Sequence, residues 1–144
     1  MLFGHLALTV AALFTGAAFY INFAEQPARL QLDDQSLLTE WKPAYQRGYT
    51  MQASLAIAGF VLGFLAWWQI GGSTFILGAL LMLANWPWTL IAILPTNNTL
   101  LGTAVASPET RDLVVKWGYL HAVRTALGGL AMLCFLWGLS STSG

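Results

Sequence analysis

Four apolar stretches constrain the fold of this chain more than any other feature of its sequence. They cover residues 2–24, 52–70, 74–94 and 117–139, and a helix needs about 20 apolar residues to cross the hydrocarbon core of a bilayer. Only 8% of the residues are charged, whereas a soluble domain carries about a quarter. The sequence therefore predicts one integral membrane domain over residues 1–144, an all-α bundle of four transmembrane helices that run up-down-up-down.

The connections between these spans carry their own signals. Asp33, Asp34 and Ser36 are typical N-cap residues, and they predict a short amphipathic cytoplasmic helix between helices one and two. Pro27 and Pro95 are expected to end or bend the first and third helices. The residues 71–73 allow only a tight turn, residues 107–109 predict the start of the last helix, and the tail Ser140–Gly144 is expected to fray.

The basic residues predict how the bundle is oriented. All six lie in the first connection, in the third connection or at the adjoining end of the last span, namely Arg29, Lys42, Arg47, Arg111, Lys116 and Arg124. By the positive-inside rule, both long connections are cytoplasmic and both termini lie outside. The net charge is zero, and so few charges leave no basic surface for nucleic acid.

The segment WGYLHAVR at residues 117–124 places ionisable side chains inside a span. Trp117, His121 and Arg124 follow spacings of four and three, so they share one face of a helix. A charged residue at membrane depth indicates a functional site by default, because exposure to lipid costs about 3 kcal/mol or more for Arg. We therefore asked which other polar groups lie at the same depth.

Two further helices offer polar side chains in the same half of the membrane. Asn22 and Glu25 lie on the first helix, Asn85 and Thr89 on the third, and Asn97 follows Pro95. A bundle hides such groups from lipid by packing them inward. The sequence therefore predicts an intramembrane polar pocket around His121 and Arg124.

A metal site in this pocket is not expected. His5 precedes Glu25 by about 20 residues, or about 30 Å along a helix, so it lies at the opposite side of the bilayer from His121. Cys134 is about 20 Å from His121 by the same measure. The sequence contains neither CxxC nor HExxH.

At these residues the chain resembles the anthrone-oxygenase-like family of small membrane proteins, long catalogued as a domain of unknown function. The resemblance runs from about residue 10 to 135 and is carried by four motifs in order: Glu25-x-Pro27-x-Arg29, Pro87-x-Thr89, Pro95-Thr96-Asn97-Asn98-x-Leu100 and Trp117-x-x-x-His121-x-x-Arg124. It implies a four-helix membrane bundle that oxidises a lipophilic aromatic substrate with O2 and without metal or flavin. Most bacterial relatives have no assigned substrate, and we expect the bacterial inner (plasma) membrane as the location.

The chemistry implied by the resemblance assigns roles to the polar residues. A base must remove a proton from an acidic carbon, and a donor must stabilise the developing enolate oxygen in a dry pocket. His121 is the expected base, and Arg124, Asn97 or Asn85 the expected donor. Glu25 would orient His121 or neutralise Arg124. The remaining expected substrate contacts are Asn22, Trp86, Trp88, Thr89, Asn98 and Trp117.

Two other classes of protein stay open. In one, the chain is a non-enzymatic membrane protein that binds a lipophilic ligand or a partner helix, and the polar cluster is purely structural. Glu25 then forms a structural ion pair with Arg29 or with Arg124. A cavity that opens onto His121 would favour a ligand site, and a closed ion-pair network would favour a structural role. The other class is a transporter, for which four helices are few unless a homo-oligomer forms, for example through Gly59 and Gly63.

Overall fold

The chain forms four long helices in the computed structural model, which describes residues 1–142. They are α1 (Leu2–Arg29), α2 (Asp34–Ile70), α3 (Ser73–Gly102) and α4 (Pro108–Thr142), and each is long and apolar enough to cross a membrane. No strand occurs in the described residues. The predicted all-α bundle of four apolar helices is confirmed. The tail is helical through Thr142 rather than frayed, and its last two residues lie outside the described part.

The four helices form a ring in which α1 and α3 each pack against both α2 and α4. Near the start of α1, Gly4 lies against Leu139 at the end of α4. Near the other end of α1, the Asn22 amide donates to the carbonyl of Gly118 early in α4. The alternating up-down order of the helices stays a prediction, and these contacts favour it.

Glycines allow the helices to approach closely in the apolar half of the bundle. A Cβ added at Gly63 or Gly78 would lie 2.7 or 2.6 Å from the ring of Phe135, so the ring occupies the space that a side chain would need. Gly59 faces Met82 in the same way. The small-residue face formed by Gly59 and Gly63 is therefore buried within one chain, and the dimer contact suggested for it is not available.

Helix α2 is much longer than the predicted second span. It begins at Asp34, and the Asp33 carboxylate caps it by accepting from the amides of Gln35 and Ser36 at 3.1 and 3.0 Å. The predicted short amphipathic helix is thus the first part of α2 and not a separate element. Pro43 does not interrupt α2. Proline has no N–H to donate to the carbonyl four residues earlier, but that carbonyl belongs to Thr39, which is exposed.

Pro27 and Pro95 do not end their helices. Each follows a wider, π-helical turn, at Ile21–Glu25 in α1 and at Thr89–Ile93 in α3. In these turns the amide of residue 26 donates to the carbonyl of residue 21, and the amide of residue 94 to that of residue 89. Each turn contains one extra residue, which shifts the pattern of backbone hydrogen bonds just before the proline. The proline itself has no N–H to donate.

The first and third connections lie together at one end of the bundle. Both are short, at residues 30–33 and 103–107. The Arg111 guanidinium donates to the carbonyl of Leu30 at 2.8 Å and pairs with Asp34. The amide of Ala106 donates to the side chain of Gln35 at 2.9 Å. These bonds hold the end of the bundle next to the polar half of the helices.

Candidate functional site

His121 lies at the centre of the polar half of the bundle and is only 2% exposed. Its Nδ1 is 2.8 Å from Oδ1 of Asn22 on α1, and its Nε2 is 3.3 Å from Oε1 of Gln52 on α2. The ring stacks on Trp117 one turn earlier, with centroids 5.0 Å apart. Three helices therefore fix the position of the imidazole.

The contacts of Asn22 determine which nitrogen of His121 carries the proton. The Asn22 amide nitrogen donates to the carbonyl of Gly118 at 2.8 Å, and its oxygen also accepts from Thr125 at 3.0 Å. Because that oxygen can only accept, Nδ1 of His121 is the protonated nitrogen. With no carboxylate among its partners the buried imidazole is neutral, so Nε2 carries the free lone pair.

This assignment also fixes the side chain of Gln52. A lone pair on Nε2 requires the amide nitrogen of Gln52, not its oxygen, to face the imidazole. Amide orientations are assigned from the hydrogen-bond network, and the Gln52 nitrogen otherwise has no partner within residues 1–142. Rotating the amide therefore satisfies both groups. At 3.3 Å the bond is long, and a ligand can displace it.

Arg124 is a buried cation without an anionic partner. It is 6% exposed, and the described residues provide neither a carboxylate nor a hydrogen bond for its guanidinium. Its Cζ lies 5.6 Å from the ring of Phe14. An uncompensated buried charge is costly, so this guanidinium is available for a ligand that carries negative charge or a polar oxygen.

Glu25 does not fill the role expected of it. Its carboxylate forms an ion pair with Arg29 one turn later on α1, and Arg29 also pairs with Glu40 at 3.0 Å. Residues four apart on a helix are neighbours, so Arg29 takes the carboxylate before Arg124 can reach it. The expectation that Glu25 orients His121 or neutralises Arg124 is wrong, since Asn22 holds the imidazole.

A central chamber lies between all four helices and opens onto His121 and Arg124. Its empty volume is about 370 Å³, including space that is open to the surroundings. Trp117, Tyr45 and Tyr49 supply aromatic walls, and Asn97 donates to the hydroxyl of Tyr45 at 3.0 Å. The remaining lining residues are Ile21, Glu25, Arg29, Ala44, Gly48, Gln52 and Ile93.

A side chamber of about 240 Å³ lies between α2, α3 and α4. Asn85, Trp86 and Thr89 line it, and it shares Tyr49 and Arg124 with the central chamber. The Asn85 amide nitrogen donates to two carbonyls of its own helix at 3.2 Å, and its buried oxygen has no partner in the described residues. Arg124 thus reaches two chambers, and the second offers an unused acceptor.

Three of the expected contacts line neither chamber. Asn22 bonds to the imidazole of His121 but is not itself part of the lining. Trp88 packs in the neighbouring apolar cluster, and its indole nitrogen donates to the carbonyl of Leu120 at 3.0 Å. Asn98 is exposed on the outer side of its helix. The other expected residues each line a chamber.

Sequence reasoning missed the residues that α2 contributes. Tyr45, Tyr49 and Gln52 follow spacings of four and three and share one helical face, which was the available signal. The signal was overlooked because residues 25–51 were interpreted as a connection. Gln52 is 1% exposed although it is polar, and it lies at the start of the predicted second span.

The arrangement provides a neutral imidazole, an uncompensated guanidinium and aromatic walls in a space that helices shield from water. Such a set can remove a proton from a bound molecule and stabilise the negative charge left on an oxygen. Among residues 1–142 no three His, Cys, Asp or Glu side chains are grouped as metal ligands.

Comparisons with known proteins agree on one family. A family model described as anthrone oxygenase matches residues 41–134. An anthrone oxygenase of Claviceps purpurea is 29% identical over 151 aligned residues, which cover 94% of this chain and 87% of the relative. The anthrone oxygenase tpcL of Aspergillus fumigatus is 30% identical, covering 83% and 81%. The anthrone oxygenase nsrD of Aspergillus novofumigatus is 33% identical, covering 65% and 64%. No solved structure matches the chain.

Proposed function

Because this chain belongs to the anthrone oxygenase family, we propose that it is a membrane-embedded oxygenase that oxidises a lipophilic anthrone-like substrate with O2. The observation that carries the proposal is the buried Arg124 guanidinium, which lacks an anionic partner and lies in the same chamber as His121. The ion pair of Glu25 with Arg29 lies in the lining of this chamber and does not include Arg124. A ligand site fits these facts better than a purely structural cluster.

The proposed reaction begins with proton removal. Nε2 of His121 takes a proton from the acidic CH2 carbon between the two aryl rings of the substrate. The negative charge moves to the carbonyl oxygen, which Arg124 stabilises as an enolate. Neutral imidazole is suited to this step because the lone pair on its Nε2 can accept a proton.

O2 then completes the oxidation. The electron-rich enolate gives electrons to O2, and a carbon–oxygen bond forms at the former CH2 carbon to give a hydroperoxide. Loss of the second proton from that carbon breaks the O–O bond and releases water, leaving a second carbonyl. One O2 is consumed and one water is formed for each anthrone, and neither metal nor flavin is needed for the balance.

The chambers restrict what can bind. The space open to the centre of a water-sized sphere is only about 20 Å³ in the central chamber and about 10 Å³ in the side chamber. A tricyclic substrate therefore needs side chains to move, and we expect Tyr49 and Gln52 to do so. The aromatic side chains of Tyr45, Tyr49 and Trp117 offer flat faces for a flat substrate. The apolar surroundings strengthen the interaction of Arg124 with the enolate.

The proposed location is a membrane, with both connections at the polar end in the cytoplasm and both termini outside. It rests on the four apolar helices and on the basic residues near those connections. The expectation of a bacterial inner membrane finds no support among the relatives reported above, which are fungal.

The test is oxidation of anthrone by the purified chain in lipid nanodiscs. The rate is measured from O2 uptake and from the absorbance of anthraquinone. We expect His121→Ala to lower the rate by about 100-fold or more, as for loss of a general base, and Arg124→Ala by about 100-fold, as for loss of an oxyanion donor. His5→Ala and Lys116→Ala change an exposed histidine and an exposed cation and serve as matched controls. Parent-like rates in folded His121→Ala and Arg124→Ala proteins would contradict the proposal.

The non-enzymatic alternative makes a different prediction for the same samples. A protein that only binds a lipophilic ligand would retain anthrone in native mass spectrometry without O2 uptake above the spontaneous rate. A homo-oligomer would appear in those spectra too, and its interface would have to avoid the buried face of Gly59 and Gly63.

A further inference from the structure

A groove on the outer surface of α2 leads to the side chamber. It is lined by Ile57 and Val61, which are 40% and 45% exposed, and by the smaller residues Ala53 and Ala58. Trp86 of α3 forms its other wall. By the composition of the helices this surface faces lipid, so the groove opens into the bilayer and not into water.

Apart from the phenol of Tyr49 where it meets the side chamber, the groove contains two hydroxyl groups, and it is still apolar to a ligand. The hydroxyl of Ser54 donates to the carbonyl of Thr50 at 2.8 Å, and that of Thr50 to the carbonyl of Gln46 at 3.1 Å. Both groups are therefore satisfied by their own helix. An aromatic molecule dissolved in lipid can lie along the groove without leaving a polar group unpaired.

The groove and the side chamber meet at three shared residues, Tyr49, Ala53 and Trp86. Ala53 is the smallest of them, so a larger side chain at this position would narrow the junction. The indole nitrogen of Trp86 is buried there without a hydrogen-bond partner in the described residues. Beyond the junction lie the unused oxygen of Asn85 and the guanidinium of Arg124. Polar groups without partners thus begin where the apolar groove ends.

An opening on the opposite side of α2 differs in chemistry. It lies between α1 and α2 and joins the central chamber at Ile21, Glu25 and Gly48. Arg47 and the carboxylate of Glu25 line it. An apolar molecule that enters there must pass charged side chains, which favours the uncharged groove.

We propose that the substrate reaches the site laterally from the bilayer, along the groove on α2 and through a portal formed by Tyr49, Ala53 and Trp86. The occupant of the groove is a lipid-dissolved polycyclic aromatic ketone. This inference rests on the proposed function for the identity of the occupant. Ala53 determines how wide the portal is, and Tyr49 and Trp86 form its two aromatic sides.

The test compares Ala53→Phe with Ala12→Phe. Ala12 is exposed on α1 and lines neither the groove nor either chamber. With anthrone in nanodiscs, we expect Ala53→Phe to lower kcat/KM by about tenfold while kcat changes little, because access is slowed and the reacting groups are unchanged. Ala12→Phe should retain the parent kcat/KM. Ala53→Leu should give an intermediate effect and is the smaller change if the Phe variant does not fold.

A second measurement, on the parent chain and both Phe variants, does not depend on activity. Benzophenone dissolved in the nanodisc lipid forms photochemical cross-links, and mass spectrometry maps the labelled residues. We expect labels at Ile57 and Val61 in all three proteins, and labels at Asn85 and Leu90 that Ala53→Phe removes and Ala12→Phe retains.

The outcomes separate this inference from the proposed function. The expected labels without anthrone oxidation would support the portal and overturn the oxygenase proposal. Normal oxidation with parent-like kcat/KM in Ala53→Phe, or labels at Tyr20 and Met51 beside the charged opening in place of Asn85 and Leu90, would overturn the portal and leave the oxygenase proposal intact.

Discussion

Asn22 and His121 are joined across the interface of α1 and α4 by a 2.8 Å hydrogen bond in which the imidazole donates from Nδ1. The amide of Asn22 cannot reverse this polarity, because its nitrogen is used by the carbonyl of Gly118. One asparagine therefore sets the tautomer of the proposed base. It does so from 99 residues away in the sequence.

Removing Asn22 should disturb the tautomer before it disturbs the fold. We expect Asn22→Ala to lower kcat/KM by about 10- to 100-fold, the usual cost of losing a group that orients a reactive histidine. Nitrogen NMR of His-labelled protein should show protonation at Nδ1 in the parent and a mixture of tautomers in the variant. Thr125→Val removes only the second donor to the same oxygen and is the control. A variant with the parent tautomer and rate would show that Asn22 does not position His121.

Arg124 and Arg29 should respond oppositely to loss of their charge. Arg124→Met removes a buried cation without a partner, so we expect the melting temperature to stay equal or rise while anthrone oxidation is lost. Arg29→Met separates two carboxylates from their partner. Breaking a fully buried pair costs about 3–5 kcal/mol, and the effect should be smaller here because Glu25 and Glu40 are 29% and 39% exposed. A lower melting temperature for Arg124→Met than for Arg29→Met would mean that Arg124 has a structural partner.

The close contact of Gly78 with Phe135 should make even an added methyl group costly. A Cβ at residue 78 would meet the ring at 2.6 Å, and overpacking of this kind typically costs about 1–3 kcal/mol. Gly16 is a helical glycine with nothing within 4 Å of the added Cβ, so Gly16→Ala should be neutral or stabilising by up to about 1 kcal/mol. Thermal unfolding in detergent compares the two variants. Equal melting temperatures would show that Phe135 can move aside.

The Asp33 carboxylate that caps α2 should make the thermal stability of the chain depend on pH. Hydrogen bonds from the Ser36 side chain and from backbone amides hold the pKa of Asp33 below its usual value. A carboxylate with a lowered pKa stabilises the folded state above its unfolded pKa, and this contribution disappears as the pH falls through the folded pKa. Asp33→Asn keeps a capping oxygen without titrating. The difference in melting temperature between parent and Asp33→Asn should therefore shrink from pH 7 to pH 3, and a constant difference would contradict the assignment.

The sequence predicts the number of long helices in this chain better than it predicts where each helix begins and ends. Residues 117–124 indicated the site because ionisable side chains stand out in an apolar span, and Ser107 with Pro108 indicated where α4 begins. Polar residues in the first half of α2 give no such contrast. Tyr45 and Gln52 were therefore assigned to a connection and to the edge of a span, although they line the chamber.

The sequence alone also does not determine which charged residues form ion pairs with each other. Glu25 has Arg29 and Arg124 within plausible reach, and only the direction of each side chain in the folded bundle decides between them. The face formed by Gly59 and Gly63 is a similar case, since a pattern of small residues does not say which helix it faces, and in the structure it faces Met82 and Phe135 of the same chain.

The π-helical turn in α3 has a consequence for the phase of that helix. Asn85 and Asn97 are twelve residues apart, and in a straight α-helix their side chains would point about 120° apart. One additional residue in a turn changes the direction of everything after it by about 100°, and both asparagines are buried. The widened turn at residues 89–93 thus brings two amides onto one side of a single helix. Deleting one residue there would rotate Asn97 out of the bundle while the asparagine itself is unchanged, so the length of this turn matters to the site as much as the residues in it.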